Sequence, residues 1–272
     1  MLRNTKDLEK FTIHATDGEI GSIQDMYFDD DAWVLRYFVV ETGSWLSSRK
    51  VLISPLSVQQ PDWQGKTLPV SITQSQVSNS PAIDTDKPVS RQNEEQYLGY
   101  YGYPYYWGGT GLWGDAIYPY GVPADISNGP DWVERQREDE AALANERLRH
   151  RNDDPHLRSC EAVKGYHVHA TDGEIGHVIG FLVDEATWAI RYLIVNTSNW
   201  WIGNEVLIAP PWIAGVHWSD KTVSVDLSRN AVKESPPYDS KAVLDRDWER
   251  NLHKHYGRTG YWSVAEALEA QR

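Results

Sequence analysis

Two pairs of carboxylates stand in identical settings in this chain. The hexapeptide Thr-Asp-Gly-Glu-Ile-Gly carries Asp17 and Glu19 at its first occurrence and Asp172 and Glu174 at its second. Such a pair could offer oxygen ligands to a cation, but two carboxylates without a third ligand do not complete a metal site. We therefore interpret the hexapeptide as a turn, in which Asp and Gly form a hairpin and the last glycine lets the next strand bend.

Histidines are the second group that could do chemistry. His14 and His169 come just before the hexapeptides, and His167 shares a strand face with His169 because side chains alternate along a strand. A His-x-His pair can bind zinc, but no cluster of further cysteines or histidines lies close to it in the sequence. His253 and His255 repeat the pattern and are interpreted in the same way. We predict no metal site and no cofactor-binding residue.

Two arginines interrupt otherwise apolar strands. Arg36 and Arg191 could bind an acidic ligand or partner, or they could form internal ion pairs. We favour internal ion pairs, with Asp29 and Asp184 as partners, or Asp25 in the first copy.

The overall charge and the missing motifs restrict the function. The chain has 272 residues and a net charge of −13, and no segment of it is basic, so direct nucleic-acid binding is not expected. Motifs for a nucleophilic serine, a phosphate-binding loop, a dinucleotide site and a zinc protease are all missing from the sequence. We predict no catalytic residue and no enzymatic activity. Cys160 is the only cysteine, which excludes an intrachain disulfide.

The hexapeptides belong to a long internal repeat. Its offset stays constant at 155 positions, the distance from Asp17 to Asp172. Aromatic and charged residues return at this offset: Trp33, Arg36, Tyr37, Trp45, Glu94, Tyr106 and Trp107 become Trp188, Arg191, Tyr192, Trp200, Glu249, Tyr261 and Trp262. The chain is therefore one module used twice.

Short strands with turn residues between them predict a mainly β fold. We expect two tandem, small antiparallel barrels related by pseudo-two-fold symmetry, with short helices and an aromatic-rich linker. The predicted parts are a first barrel (1–80), a linker (81–159), a second barrel (160–237) and a helical tail (238–272). The linker contains an aromatic arm, Tyr97–Tyr120, and a charged helix from Asp131 to about His150. Thr73 and Ser228 are predicted helix N-caps.

The third strand of each copy is apolar on both faces. In the first copy, Trp33, Leu35, Tyr37 and Val39 point one way and Val34, Arg36, Phe38 and Val40 the other. A strand in a lone barrel should be polar outside, so we expect the outer face to be covered by the sister barrel, by flanking helices or by a second chain. Eight residues are therefore interface candidates: Trp33, Leu35, Arg36, Tyr37, Trp188, Ile190, Arg191 and Tyr192.

The order of these motifs resembles a known family. A short strand, TDGEIG, a strand ending in Asp, a W-x-x-R-Y-x-x-V strand and a V-L-I-x-P strand are similar to the PRC-barrel domain. That barrel is shared by the photosynthetic reaction centre H subunit and the C-terminal half of the ribosome maturation factor. The resemblance covers residues 5–80 and 160–236 and implies a barrel in each copy. The chain is most similar to bacterial tandem PRC-barrel proteins, and it lacks the membrane helix of the H subunit.

The leading functional prediction is a non-catalytic scaffold that binds a protein partner, whose identity the sequence does not reveal. One alternative, implied by the resemblance, is a ribosome- or RNA-processing adaptor, and another is an accessory protein similar to the H subunit. No apolar run approaches the roughly 18 residues of a membrane span, so we expect no membrane insertion and a cytoplasmic location. A homodimer is a further expectation, because the helix after Asp131 has no evident partner.

Overall fold

A computed structural model describes most of the chain. The described residues are 1–81, 89, 91–107, 109–119, 156–197, 204–241 and 244–262. The predicted charged helix between Asp131 and His150 lies outside them, as does Trp200.

Short strands dominate both halves of the chain. In chain order they are β1 (Leu2–Asn4), β2 (Thr12–Ala15), β3 (Gly18–Asp29), β4 (Val34–Thr42), β5 (Lys50–Ile53), β6 (Thr67–Pro69), β7 (Leu157–Ser159), β8 (His167–Ala170), β9 (Gly173–Asp184), β10 (Ile190–Asn196), β11 (Glu205–Ile208), β12 (Ile213–His217) and β13 (Thr222–Val225). The helices are α1 (Thr5–Leu8), α2 (Gln74–Asn79), α3 (Arg91–Tyr101), α4 (Cys160–Val163), α5 (Arg229–Lys233) and α6 (Arg246–His255).

The chain divides into two compact units. The first-repeat unit contains Thr5–Ala162 together with Asp184–Ile190. The second-repeat unit contains Met1–Asn4, Val163–Val183 and Arg191–Arg272. Each unit therefore includes a segment that lies outside its own repeat in the sequence.

The first sheet runs in the order β5-β4-β3-β2-β6, and β7 pairs with β3. The mainly β class is confirmed, but two details differ from the prediction. The described strands make an open sheet rather than a closed barrel, and β6 pairs with β2 in parallel. The segment Val58–Trp63 forms only isolated bridges, Val58 with Val70 and Asp62 with Thr67. Pro61 lies within it and has no amide to donate, which interrupts a regular ladder.

The second sheet repeats this order. Its path is β11-β10-β9-β8-β13-β12, β1 pairs with β9, and β13 pairs with β8 in parallel. Among the described strands this path is also open at both ends. The five strands shared by the two paths occur in the same sequence order in both repeats, so the repeated sequence forms the same sheet twice.

Two three-residue strands extend these sheets. Strand β7 pairs antiparallel with the end of β3, placing Ser159 opposite Tyr27 and Leu157 opposite Asp29. Side chains reinforce this pairing, since Arg158 Nε lies 2.7 Å from Asp30 Oδ2. The sequence does not predict β1 and β7, because three residues are too few to show an alternating pattern.

The last glycine of each hexapeptide is required by close backbone contact. Gly21 has φ +154° and Gly176 has φ +140°. A Cβ on Gly21 would lie 2.0 Å from Glu41 O, and one on Gly176 would lie 2.0 Å from Asn196 O. A side chain therefore fits at neither position.

Strand β4 forms the centre of the first-repeat unit. Every residue from Val34 to Val40 is at most 3% exposed. The prediction that its outer face is covered is confirmed, and α3, the aromatic arm and Asp184–Ile190 provide contacts from within the same unit.

The predicted helix N-caps are also confirmed. Thr73 Oγ1 accepts a hydrogen bond from Gln76 N at 3.1 Å, and Ser228 Oγ accepts one from Ala231 N at 3.2 Å. Among the described helices, none combines the length and the apolarity that crossing a bilayer requires.

Candidate functional site

Four of the interface candidates meet in the first-repeat unit. Leu35 N donates to Trp188 O at 2.9 Å, and Ile190 N donates to Trp33 O at 2.7 Å. Trp188 is fully buried, with its ring 5.1 Å from that of Phe38 in an edge-on arrangement. These four residues thus line one short antiparallel bridge.

The two polar candidates of the first copy, Arg36 and Tyr37, do not take part in this bridge. We predicted opposite faces for them, but both reach Tyr106: the Arg36 guanidinium carbon lies 3.8 Å from the centre of its ring, and Tyr37 shares a hydrogen-bond acceptor with its hydroxyl. The reason is a β-bulge. Tyr27 pairs with Tyr37 while Phe28 pairs with Leu35, which leaves Arg36 as an extra residue and breaks the alternation.

A buried carboxylate, Glu94 of α3, organises this region. Its side chain is fully buried, and Oε1 accepts hydrogen bonds from Tyr37 at 3.1 Å and from Tyr106 at 2.5 Å. His156 Nε2 lies 2.6 Å from Oε2. We call Tyr37, Glu94, Tyr106 and His156 the first cluster. Burial, then the neighbouring Glu94, raises the pKa of Tyr37 well above its usual value, so its hydroxyl stays protonated and donates.

Arg36 connects this cluster to an internal ion pair. Its Nη2 lies 3.2 Å from Asp29 Oδ2, and its Nη1 donates to Leu112 O at 2.6 Å. Burial opposes ionisation of Asp29, but Arg36, the amide of Ala32, the nearby His156 and the amide of Asp31 together outweigh it, so the pKa of Asp29 is lowered. The predicted ion pair is confirmed with Asp29, whereas Asp25 binds Ser159 and the amide of Glu161.

The aromatic arm is held against the same unit by polar contacts at its rings. Tyr97 donates to Leu52 O at 3.0 Å and accepts from Ser54 N at 3.2 Å. Trp113 Nε1 donates to Thr187 O at 2.9 Å. The described part of the arm therefore packs on the sheet, although Ile117 and Tyr118 are 59% and 48% exposed.

The second-repeat unit contains the equivalent carboxylate, Glu249 of α6. Its Oε1 lies 3.0 Å from the hydroxyls of both Tyr192 and Tyr261, and Oε2 accepts from Arg246 Nη1 at 2.8 Å. His253 Nε2 lies 2.9 Å from the Tyr192 hydroxyl. We call Tyr192, Arg246, Glu249, His253 and Tyr261 the second cluster.

Burial sets the proton affinities of the second cluster. It raises the pKa of Glu249, against the opposing effect of Arg246, and it lowers the pKa of His253. It also raises the pKa of Tyr261 to about 12, with Glu249 adding to the shift. The guanidinium carbon of Arg191 lies 3.9 Å from the centre of the Tyr261 ring, so Arg191 and Tyr192 again face the same group.

Both clusters fasten a helix and the segment after it to the central strand of a sheet. The carboxylate oxygens are occupied by donors of the same chain, and they are buried. This arrangement suits a structural tether between α3 or α6 and the strand beside it.

The aspartates of the two hexapeptides contact the short helix that follows each sheet. Asp17 Oδ1 accepts from Gln74 N at 2.8 Å, and Asp172 Oδ1 accepts from Arg229 N at 2.7 Å. Each aspartate therefore holds the first residue of the short helix that follows its sheet. Glu174 instead pairs with His167 Nδ1 at 2.7 Å, and the His167 bond, ahead of its charge, lowers the pKa of Glu174.

The two histidines of the His253 and His255 pair make different contacts. His253 turns into the second cluster, while His255 Nε2 bonds to Ala231 O at 2.8 Å. Within the described residues, the one group with three close metal-ligand side chains is Asp29, Asp30 and Asp31. Asp29 and Asp30 already pair with Arg36 and Arg158, so two of these three carboxylates have arginine partners.

Glu94, Glu249 and their tyrosines were not predicted to form a site. The signal was present, because Glu94 follows Tyr37 by 57 positions and Glu249 follows Tyr192 by 57. A carboxylate and a tyrosine that keep a long spacing in both copies indicate a shared contact.

Comparison with known proteins agrees with this fold. The model of the PRC-barrel domain matches residues 5–76. An uncharacterized protein from Deinococcus radiodurans is 32% identical over 89 residues, which is 29% of this chain and 32% of that protein. The chain thus matches about a third of the length of this relative.

Proposed function

Residues 5–76 form a PRC-barrel domain, and from that premise we propose that the chain is a non-catalytic scaffold that binds a protein partner. In this proposal, residues 160–236 form a second domain of the same type, and pseudo-two-fold symmetry relates the two. The constant sequence offset and the matching strand orders support the duplication.

The observation that carries the scaffold role is the state of the buried carboxylates. Glu94 is 0% exposed and Glu249 is 3% exposed, and each receives hydrogen bonds on both oxygens from its own chain. A general acid or base has to reach the reacting group of a substrate, within hydrogen-bond distance or through one water. Glu94 and Glu249 instead hold helices on strands, so we assign the function to the molecular surface.

The charge of the chain favours a partner with a basic surface. With 39 acidic and 26 basic residues, the chain attracts a positively charged protein and repels the backbone of nucleic acids. Ile117 and Tyr118 of the aromatic arm are the exposed apolar residues that we assign to the contact, because aromatic side chains supply much of the energy of protein interfaces.

Crosslinked capture by the full-length chain from native lysate tests this proposal. We expect one basic protein to be retained in a fixed ratio, and the Ile117→Ser/Tyr118→Ser double variant to retain less of it. Tyr100→Phe is the matched control, because it keeps an exposed ring and removes only the bond from its hydroxyl to Gln76 O.

The nature of the captured protein separates the alternatives. Ribosomal proteins would favour the ribosome-associated adaptor, and subunits of a pigment complex would favour the accessory protein similar to the H subunit. Turnover of a substrate, or a metal ion retained at a fixed ratio, would exclude all three roles. A cytoplasmic location and a homodimer belong to the same proposal, and fluorescence microscopy and sedimentation velocity test them.

A further inference from the structure

We propose that the second-repeat unit binds one proton on Glu249 at neutral pH, in a hydrogen-bond chain that runs from Glu249 through Tyr192 to His253. The inference goes beyond the scaffold role and does not depend on it. It rests on the number of protons that the observed contacts require.

The acceptor at the end of the chain fixes the first proton. His253 Nδ1 lies 3.1 Å from Thr259 O, and a carbonyl oxygen can only accept. Nδ1 therefore carries a hydrogen. In the neutral imidazole the other nitrogen, Nε2, is then an acceptor, and it lies 2.9 Å from the Tyr192 hydroxyl.

Tyr192 has only one proton to give. If it donates to His253, no hydrogen remains for its 3.0 Å contact with Glu249 Oε1. Two oxygens at this distance without a hydrogen between them repel each other. One extra proton removes this conflict, and it can sit on His253 Nε2 or on Glu249 Oε1. Burial of the His253 ring, with Arg246 nearby, lowers the pKa of His253, so the proton is assigned to Glu249 Oε1, which donates it to Tyr192.

The other groups that face the cluster accommodate a neutral Glu249. Tyr261, after α6, donates to Oε1 at 3.0 Å, and Arg246, on α6 itself, donates to Oε2 at 2.8 Å. Arg191 of β10 lies over the Tyr261 ring. Both arginines favour an ionised Glu249, but desolvation by burial is larger and raises its pKa, and burial likewise keeps His253 neutral by lowering its pKa.

The first cluster does not require the extra proton. Tyr37 and Tyr106 each donate their single hydrogen to Glu94 Oε1. His156 Nε2 lies 2.6 Å from Glu94 Oε2 and 3.3 Å from the Tyr106 hydroxyl, and a hydrogen on Nε2 serves both oxygens. An ionised Glu94 satisfies these contacts. The contacts therefore place a proton on Glu249 that Glu94 does not need, although the carboxylate and its two tyrosines are equivalent in sequence.

The extra proton makes the stability of the second-repeat unit depend on pH. Unfolded, Glu249 ionises above about pH 4.3 and His253 loses its proton above about pH 6.5. Above about pH 6.5 folding then takes up one proton, so the unfolding equilibrium constant rises about tenfold per pH unit, until the pH reaches the raised pKa of Glu249. Between about pH 4.3 and 6.5, uptake by Glu249 and release by His253 cancel.

Two measurements on the full-length chain test the proposal. ¹⁵N NMR of the His253 ring should show a neutral imidazole with hydrogen on Nδ1 at pH 7, and infrared spectroscopy should show a protonated carboxyl band that Glu249→Gln removes. The same variant should lose the rise in the unfolding constant above about pH 6.5, as followed by hydrogen exchange of α6 amides. Below about pH 6.5 it should become less stable as the pH falls, because His253 must release a proton to fold.

Glu94→Gln is the matched control and should leave the carboxyl band unchanged. A His253 imidazolium at pH 7, a missing carboxyl band, or a band that persists in Glu249→Gln would each overturn the proposal. The ring and band measurements use the wild-type chain, so they decide the question even if the variant does not fold.

Discussion

Glu94 and Glu249 occupy equivalent positions in the two repeats and are hydrogen-bonded to equivalent tyrosines. Their remaining partners come from different places. His156 precedes β7 and lies far from α3 in the sequence, whereas Arg246 and His253 lie on α6 beside Glu249 itself. Both copies thus keep the contact between tyrosine and glutamate. The other partners of the glutamate differ between the copies in their position along the chain and in their charge.

Removing each carboxylate is the strongest test of this comparison. Glu94→Ala should lower the free energy of unfolding by about 3–5 kcal/mol, because it breaks a buried pair and leaves Tyr37, Tyr106 and His156 without their acceptor. Glu249→Ala should cost less, about 2 kcal/mol, because the group that it removes is neutral and Arg246 is 42% exposed. Urea unfolding combined with hydrogen exchange in each unit measures both, since the units need not unfold together.

Gln96→Ala on the exposed face of α3 is the control for this pair, with an expected change within about 0.5 kcal/mol. Equal losses for the two glutamate variants would contradict the difference between the clusters.

The hexapeptide glycines should show no such difference between the repeats. Gly21→Ala and Gly176→Ala should each cost about 3 kcal/mol, because the added Cβ meets a backbone oxygen and both φ angles disfavour a side chain. Thermal unfolding of each unit measures this loss of stability. In Gly215→Ala, where a Cβ has open space, the change should be less than about 1 kcal/mol.

Hydroxyl deletions separate a charged acceptor from a neutral one. Tyr106→Phe should cost about 2 kcal/mol, since it removes a hydrogen bond to an ionised carboxylate, and Tyr261→Phe should cost about 1 kcal/mol. Denaturant midpoints compared at pH 7 provide the measurement. If Tyr261→Phe proved the more damaging of the two, the charge assignment of the clusters would be reversed.

The smallest expected effect concerns the aspartates of the hexapeptide. Asp17→Ala and Asp172→Ala should each cost about 1 kcal/mol, because each removes one hydrogen bond to the first residue of a short helix. Asn at either position should recover most of the loss, which would exclude a metal-binding role that needs the charge. Hydrogen exchange at Gln74 and Arg229 locates the effect.

Local signals in the sequence predicted much of the fold. Alternating and β-branched residues located β3, β4, β9 and β10, and threonine and serine before short helices located the N-caps Thr73 and Ser228. The pairing of Arg36 with Asp29 followed from burial of a charge, because a buried guanidinium needs an internal partner.

What the sequence did not predict depends on contacts between distant residues. The bulge at Arg36 arises from the pairing of β4 with β3, and no residue type in the sequence predicts it. His156 lies 62 residues from Glu94. The repeat gives no sign of this contact, because the position that corresponds to His156 in the other copy is not a histidine. The closed antiparallel barrel was wrong in detail because β2 and β6 pair in parallel.

The position of β7 in the chain has a consequence for protein synthesis. Strand β3 is complete once Asp29 has been made, but its partner β7 is added only when the ribosome has passed Ser159. At about 5–20 residues per second, the first-repeat unit therefore waits several seconds with that edge of β3 unpaired. A nascent chain stalled before Leu157 would expose this edge to chaperones, and one stalled well beyond Ser159 would not.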